Sequence, residues 1–359
     1  MIEIPVLLGD GIGPEIVGAT QQVMAAACEE AGIPLAFREL PCGLDAIRTH
    51  GTTMPAETLD VLDQSHGWIL GPLTTHVYAG TSGEPNVSAL LRKRYNLFAN
   101  LRPVRGRKQA RSAKDAQGSS FDVLVVRENT EGFYADRNLH VGHGEFMPTP
   151  DVALAVRVIT RTASLNVARA AFQRAEARTG RVTIVHKANV LRISDGLFVE
   201  ACGEIAAAYP RVQVNDLHVD AAATKLVTNP QAFDVILTTN MFGDILSNLV
   251  AGLAGSLGLA PSLNEGSEHA MAQASHGSAP DIAGTGQANP IAEILSGAML
   301  LDWLSRRLGE PSLARASASI EGAVQTVLAA GRPELLTPDL GGLGSTASVT
   351  DALLTALGE

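Results

Sequence analysis

Cysteine is scarce in this chain. Cys28, Cys42 and Cys202 are the only three among 359 residues. The number is odd and no C-x-x-C pair occurs, which excludes a disulfide framework or a zinc site and fits reduced thiols in a cytoplasmic protein. Basic residues are outnumbered, 27 Lys and Arg against 37 Asp and Glu, leaving a formal net charge of -10. Nucleic acid is thereby excluded as the main partner, because a phosphate backbone needs a basic footprint. A local basic pocket for a small anion stays open. The opening MIEIPVLL lacks a basic n-region and a cleavage site, so no signal peptide is expected. One long uncharged run, ILSNLVAGLAGSLGLAPSLN, is interrupted by Gly252, Gly255, Gly258 and Pro261. It reads as a tightly packed buried helix, not as a membrane span. There is no internal repeat and no low-complexity tract.

What is present is an ordinary globular balance, 46% hydrophobic and 18% charged, with length for about two domains. Strand-like runs alternate with helical patterns: IPVLLG and then IVGATQQVMAAACEEAG, LAFREL and then ETLDVLDQ, GWILGPL and then NVSALLRKRY. FDVLVVRE, RVTIVHKA, VQVNDLHVD and FDVILTTN continue the strand series, and DVALAVRVITRTASLNVARAAFQRAEAR reads as a helix between two of them. This alternation predicts an α/β fold with a largely parallel sheet. The segment RNLHVGHGEFMPTPD fits neither period and suits a protruding arm. From about Gly255 to Pro290 the chain reads as loop, followed by helices at ILSGAMLLDWLSRRLG, at ASIEGAVQTVLAAG and at the carboxyl end.

The first turn, VLLGDGIGPEIV, has the setting of a dinucleotide-binding fingerprint but not its spacing. Glycines stand at 9, 11 and 13, and Pro14 occupies the place of the third glycine of G-x-G-x-x-G. Pro14 suits a helix start, whereas Glu15 would repel a pyrophosphate. Glu39 comes too late for the acid that holds the ribose. A structural or mixed role is therefore expected for this turn.

Chemistry gathers at five other places. Arg92 lies in LLRKRYNL, while Arg102 and Arg127 close the apolar runs LFANLRP and FDVLVVRE. Guanidinium groups at strand ends of an open sheet can converge on carboxylates; Lys93 and Arg94 read as a solvated helix face. In RENTEGFY, Tyr134 suits either a core aromatic or a general acid. Lys187 follows a β-branched strand and, if buried, needs a partner or a shifted pKa, which makes it a candidate proton acceptor. Asp220, Asp244 and Asn248 offer hard oxygen ligands for Mg2+ or Mn2+, the last two sharing a helix face, although Asp244 taken alone reads as a helix cap after Gly243. Finally, HGSAPDIAGTGQANP has the small residues that let a backbone approach a ligand. Within it Asp281 can accept from ribose hydroxyls; the alternative is a plain surface loop.

These stretches occur together and in order in the β-decarboxylating dehydrogenases, which comprise the isocitrate, homoisocitrate, 3-isopropylmalate and tartrate/D-malate dehydrogenases. The chain resembles that family through GDGIGPE, GPLTT, LFANLRPVR, RENTEGFY, HKANVL, NMFGDILSN, GLGLAPS, HGSAPDIAG, ANP and TPDLGG. The resemblance implies a two-domain isocitrate/isopropylmalate dehydrogenase-like fold rather than a conventional Rossmann fold. A discontinuous cofactor domain would cover residues 1–101 and 254–359, and a smaller domain 102–253 would carry a dimer arm near 136–150. It implies NAD bound by Thr75, Asn189, His276, Gly277, Ser278, Ala279, Asp281, Ile282 and Asn289. The acidic Asp281 followed by an aliphatic residue marks NAD users and would repel a 2'-phosphate. It implies that Arg92, Arg102 and Arg127 clamp the carboxylates of a malate core. Tyr134 is then the general acid, Lys187 and Asp220 come from the partner subunit of a homodimer, and Asp220, Asp244 and Asn248 hold Mg2+ or Mn2+. The implied reaction is an oxidative decarboxylation giving a 2-oxo acid and CO2.

The chain departs from the family pattern at three places. Asn248 stands where an aspartate of the metal cluster is usual, and Gln273 where a glutamate precedes the cofactor loop, with Ala272 in place of its phenylalanine neighbour. Asn86 and Ser88, ahead of Arg92, occupy the positions that read the C3 substituent. Polar donors there disfavour an isopropyl group. Isocitrate or homoisocitrate leads; another acidic or polar malate (a phosphono analogue, tartrate or D-malate) comes next, and 3-isopropylmalate last. A reading of another class is a non-catalytic regulatory subunit of a hetero-oligomeric isocitrate dehydrogenase. The presence of Tyr134, Lys187, Asp220 and Asp244 argues against it.

Overall fold

The computed structural model describes residues 1–78, 84–106, 120–133 and 144–358. Tyr134 and the part of the expected arm over 136–143 lie outside the described residues. The chain forms two compact units, one made of Met1–Leu91 with the chain from Gly255 onward, the other running from Arg92 to Ala254 in its described residues. The first boundary thus falls ten residues ahead of the 101/102 break expected from the sequence, within a helix.

The first unit opens with strand β1 (Ile2–Leu7) and helix α1 (Gly13–Glu30), which carries Pro14 in its first turn. Helix α1 buries Ile16, Val17, Thr20, Val23, Met24 and Ala27, a stripe at helical spacing that faces the core. Then come β2 (Leu35–Glu39), α2 (Gly43–His50), α3 (Ala56–Leu62), β3 (Gly67–Leu70), α4 (Thr75–Tyr78) and α5 (Val87–Arg94). Strand β1 lies parallel between β2 and β3.

The second unit contains β4 (Ala99–Gly106), β5 (Phe121–Glu128), the hairpin β6 (Glu145–Thr149) and β7 (Val152–Ala155), α6 (Arg161–Glu176), β8 (Arg181–His186), α7 (Ser194–Ala206), β9 (Gln213–His218), α8 (Val219–Thr228), β10 (Val235–Thr238) and α9 (Asn240–Ala254). Its strand order is β4-β5-β10-β8-β9. Strands β5, β10, β8 and β9 are parallel, and β4 is antiparallel to β5. Two expectations are corrected here. The helix expected from residue 151 begins only at Arg161, because VALA pairs with β6 and Val158 bridges to Gly132; its β-branched alternation fits a pleated surface better than a helix. Arg102 does not close a strand but sits inside β4, opposite Val125.

The chain then returns to the first unit with β11 (Leu263–Glu265), β12 (Ala270–Ala272), α10 (Ile291–Leu308), α11 (Pro311–Ala330) and α12 (Thr346–Leu357). The segment expected as loop from 255 to 290 therefore holds two short strands. Strand β12 lies parallel to β3 and antiparallel to β11, which orders this unit's strands β2-β1-β3-β12-β11. Among the described residues no helix is long and apolar enough to cross a membrane.

Candidate active site

The second unit gathers its chemistry at one edge of its sheet. Because β5, β10, β8 and β9 run parallel in close register, their carboxyl ends share that edge, where open α/β sheets place ligands. Arg127 is the last residue but one of β5, Lys187 directly follows β8, and Asn240 and Asp220 lie two residues past β10 and β9.

Two buried arginines meet there on one carboxylate. Arg127 NH1 lies 2.5 Å from Asp244 Oδ1, and Arg102 NH1 lies 3.2 Å from the same oxygen. Arg127 also donates from Nε and NH2 to Asn240 Oδ1 at 3.2 and 2.8 Å, and Arg102 donates to Asn100 Oδ1 at 2.5 Å and Ser247 Oγ at 2.8 Å. Desolvated guanidinium groups need such partners. Gly243 makes the approach possible, since a Cβ there would stand 2.6 Å from Arg127 Cβ and Cγ. Asp244 is the fifth residue of α9, inside the helix and not its cap. Its side chain is 38% exposed and both arginine contacts run to Oδ1, which leaves Oδ2 for a further ligand.

The turn after β5 is held by Glu128, which accepts from Thr130 N at 2.6 Å, Thr130 Oγ1 at 2.7 Å, Glu131 N at 3.1 Å and Asn240 Nδ2 at 3.4 Å. Glu131 is buried beside it and accepts from Thr160 N at 2.8 Å. Burial first, and the neighbouring Glu128 charge second, push the Glu131 carboxyl up to about 7.

Lys187 is paired rather than buried. Its Nζ sits 2.5 Å from Asp220 Oδ1, with the two side chains 26% and 69% exposed. The hydrogen bond from Lys187 holds the Asp220 carboxyl below its usual range. The Lys187 backbone is fixed by buried Asp195, which accepts its amide at 2.6 Å and binds Arg157 at 2.5 Å. Arg157 in turn lies over the rings of Phe133 and Phe242. Neither Asp195 nor Arg157 stands out in the sequence, because their partners are far away along the chain. Asn189 is exposed in the turn after β8, and Asn248 is exposed on α9.

Oxygen-only side chains suit a hard divalent ion, and Asp220, Asp244 and Asn248 supply them. Among the described residues of one chain, however, no three His, Cys, Asp or Glu side chains gather closely enough to hold a metal.

The first unit carries the loop HGSAPDIAG, and the structure explains the glycine turn after β1 through it. Ile12 N donates to Ser278 O at 2.9 Å, Asp10 N to Pro72 O at 2.7 Å, and Gly13 N to Asp10 O at 2.9 Å. These amides are therefore unavailable to a phosphate. A Cβ on Gly11 would lie 2.0 Å from Ser278 O, and one on Gly9 2.4 Å from Pro72 O. Glu39, expected too far along to matter, ends β2 beside this turn and lines a cavity of about 710 Å³ with Asp10 and Asp45. Three carboxylates there against one guanidinium, that of Arg48, which pairs with Asp45 at 2.9 Å, oppose a pyrophosphate. Asp10 is structural: it accepts Leu44 N and Thr74 N, each at 2.8 Å, and the Tyr78 hydroxyl. Glu15 accepts the amides of Gly284 and Gly286, the latter at 3.2 Å.

The loop's own residues divide into braces and open groups. Ser278 is buried with its hydroxyl 2.7 Å from Thr74 Oγ1, and Ala279 adopts φ 35°. Asn289 spends its amide within the fold, donating to Asp339 Oδ2 at 3.0 Å and accepting Ile291 N at 3.0 Å. Gly277 and Asp281 are exposed, Ile282 is partly so, and Thr75 is exposed at the start of α4. His276 Nδ1 lies 3.0 Å from Gly277 O, which places its proton there, and its buried Nε2 has no hydrogen-bond partner. Burial also lowers its pKa, so a neutral imidazole presents an acceptor nitrogen. On one loop, an orphaned acceptor and an exposed carboxylate offer partners for a donor N–H and for hydroxyl groups.

Comparison with known proteins identifies the family. The isocitrate/isopropylmalate dehydrogenase family model matches residues 3–353. The chain belongs to the isocitrate/isopropylmalate dehydrogenase family. It is 42% identical over 352 residues to an isocitrate/homoisocitrate dehydrogenase of Thermus thermophilus, covering 97% of this chain and 96% of that one. It is 37% identical to a 3-isopropylmalate dehydrogenase of Sulfurisphaera tokodaii, covering 99% of each. Isocitrate dehydrogenase from Methylococcus capsulatus superposes with a TM-score of 0.87 at 40% identity, covering 100% of both chains. The α/β family fold implied by the sequence motifs is thus present, and the protein is an oxidoreductase of this family.

Proposed function

We propose that this family member carries out the NAD- and Mg2+- or Mn2+-dependent oxidative decarboxylation of a 3-substituted malate, with isocitrate or homoisocitrate as the leading substrates. The observation that carries this reading is the convergence of Arg102 and Arg127 on Asp244: a cationic cradle for carboxylates with an acidic oxygen ligand at its centre. In this reading Arg92, Arg102 and Arg127 bind the two malate carboxylates. Asp244, with Asp220 of the partner subunit and Asn248, holds the ion. His276, Asp281 and the backbone of Gly277, Ala279 and Asn289 hold the adenosine part of NAD, with Ile282 at their side; Ser278 keeps the loop in shape, and Thr75 and Asn189 line the cofactor's path.

Bound NAD+ supplies the hydride acceptor, and the divalent ion the Lewis acidity that draws charge toward the C2 oxygen as CO2 departs. The Lys187–Asp220 pair carries away the C2 hydroxyl proton, and Tyr134 returns a proton to C3. The arginines fix the carboxylates so that charge develops where cations already stand.

A homodimer with shared sites is part of the proposal. The β6–β7 hairpin leaves Phe146, Met147, Val152 and Leu154 exposed, and Val190, Ile193 and Ile245 near the sheet edge are exposed as well. Exposed apolar side chains of this kind suit a subunit interface.

The test is turnover by the purified chain with NAD+, Mn2+ and a panel of isocitrate, homoisocitrate, 3-isopropylmalate, D-malate and tartrate, read as NADH formation. Activity on a tricarboxylate is expected. No turnover on any member would overturn the proposal and favour a ligand-binding regulatory subunit.

A further inference from the structure

Arg157 stands shortly before α6, and its side chain is only 9% exposed. NH1 donates to Asp195 Oδ1 at 2.5 Å and to Ser194 Oγ at 3.1 Å, and NH2 donates to Thr239 Oγ1 at 3.1 Å. The guanidinium carbon lies 5.9 Å from the ring centre of Phe133 and 5.5 Å from that of Phe242, close enough for a desolvated cation–π contact. The proposed chemistry does not use this guanidinium, yet the segments it touches carry the residues that the chemistry does use. Asp195, fully buried, gives its other oxygen to the Lys187 amide at 2.6 Å. The Lys187 carbonyl accepts Val190 N at 3.0 Å and Leu191 N at 2.8 Å, so the backbone of residue 187 is held on both sides. Phe133 directly precedes Tyr134 in the chain. The residues ahead of it run along Arg157's own segment: Gly132 and Val158 exchange hydrogen bonds of 2.9 Å, and Glu131 accepts Thr160 N at 2.8 Å. Phe242 precedes Asp244 by two residues in the first turn of α9, where Gly243 N donates to Thr239 O at 2.8 Å.

We propose that Arg157 is a positioning residue that braces both active sites of the dimer at once. The inference rests on the reading that each site takes Tyr134 and Asp244 from one subunit and Lys187 and Asp220 from the other. Within one chain, Arg157 then fixes the proton-accepting half of one site through Asp195. It fixes the proton-donating and metal-binding half of the other through Phe133, Phe242 and Thr239. A guanidinium suits this work, because its flat face packs on aromatic rings while its edge donates to several oxygens in fixed directions. Asp195 depends on it as well. A fully buried carboxylate stripped of its cation is costly, and relieving that cost moves the side chain that holds the Lys187 amide.

The experiment reads NADH formation by the full chain with isocitrate, NAD+ and Mn2+, well below the melting temperature of each variant. R157M is expected to lose about 10–100-fold in kcat at nearly unchanged KM. R157K, which keeps a cation beside Asp195 but not the planar fork, takes its place if R157M melts too low, with an expected loss of about tenfold. Heterodimers isolated through two different tags then separate the halves. Paired with a K187M chain, an R157M chain lends its Lys187 to the one complete site. Paired with a Y134F chain, it lends its Tyr134 and Asp244 instead. Both pairs should turn over more slowly than the same pairs made with a wild-type chain. A loss in only one pairing, an unchanged kcat, or a loss confined to KM would overturn the double role of Arg157. No recovery on mixing Y134F with K187M chains would overturn the shared site and this inference with it. A wild-type chain inactive on every malate would overturn the functional reading itself.

Discussion

Glu15 accepts the backbone amide of Gly286 at 3.2 Å across 271 residues of sequence. It accepts that of Gly284 as well, so the first turn of α1 grips the far end of the loop that begins at His276. The acidic residue that argues against a phosphate at the glycine turn is thus the fastener of the segment proposed to hold the nucleotide.

Removing that fastener should loosen the loop without touching a ligand. E15A is expected to weaken NAD+ binding by about 1–2 kcal/mol, the worth of two charge-assisted hydrogen bonds to a partly exposed loop. E15Q keeps one acceptor oxygen and should fall between. Calorimetric titration with NAD+ measures both; unchanged affinity in E15A would mean the loop holds its shape unaided.

Asp244 answers two buried guanidinium groups. D244N keeps the shape and removes the charge, so it should lower the melting temperature modestly, by about 1–2 kcal/mol of stability for this partly exposed carboxylate. It should also abolish the stabilisation that Mn2+ gives the wild type. Thermal melts with and without Mn2+ separate the two effects.

The proposed sharing of each site between two subunits predicts complementation. Y134F and K187M homodimers should each be nearly inactive, since loss of a general acid or base costs about 10²–10⁴-fold. Mixed and allowed to exchange, they should recover about a quarter of wild-type activity, because half the dimers then hold one intact site. Recovery near zero would place Tyr134 and Lys187 of a single chain in the same site.

Glu293 is fully buried in the first turn of α10, and its Oε2 accepts Ala274 N at 2.8 Å. Burial pushes its carboxyl from 4.5 up to about 8, so the folded protein keeps it neutral at pH 7 while the unfolded chain ionises it. The raised folded value means that its contribution to stability is complete below about pH 4.5 and is lost as pH rises toward 8. The total is on the order of 5 kcal/mol. E293Q cannot ionise and should flatten this slope, as seen in denaturant melts from pH 5 to pH 9.

Much of this arrangement is legible in the chain. Apolar runs mark the parallel strands, and polar residues crowding their carboxyl ends point to Arg127, Lys187 and Asp220. What stays hidden depends on partners distant in sequence. Arg102 looks like a strand terminus because its run is apolar throughout; only pairing with β5 reveals an antiparallel strand that continues beyond it. Strands β11 and β12 are three residues each, too short to show a period against the loop around them. Glu15, Asp195 and Asn240 act through backbone amides or buried arginines that no local pattern identifies, and Ser88 donates to Gln273 Oε1 at 3.0 Å across 185 residues of sequence.

The position of β12 beside β3 has a consequence for biosynthesis. Ala270 pairs with Gly67, so roughly 200 residues must leave the ribosome before that strand edge finds its neighbour, a costly loop to close. The intervening stretch holds the strands of the other unit, which can condense while the amino-terminal segment waits. Truncated translation products ending near residue 254 should therefore contain one finished lobe and one with an uncovered, aggregation-prone edge, the species on which a chaperone would act.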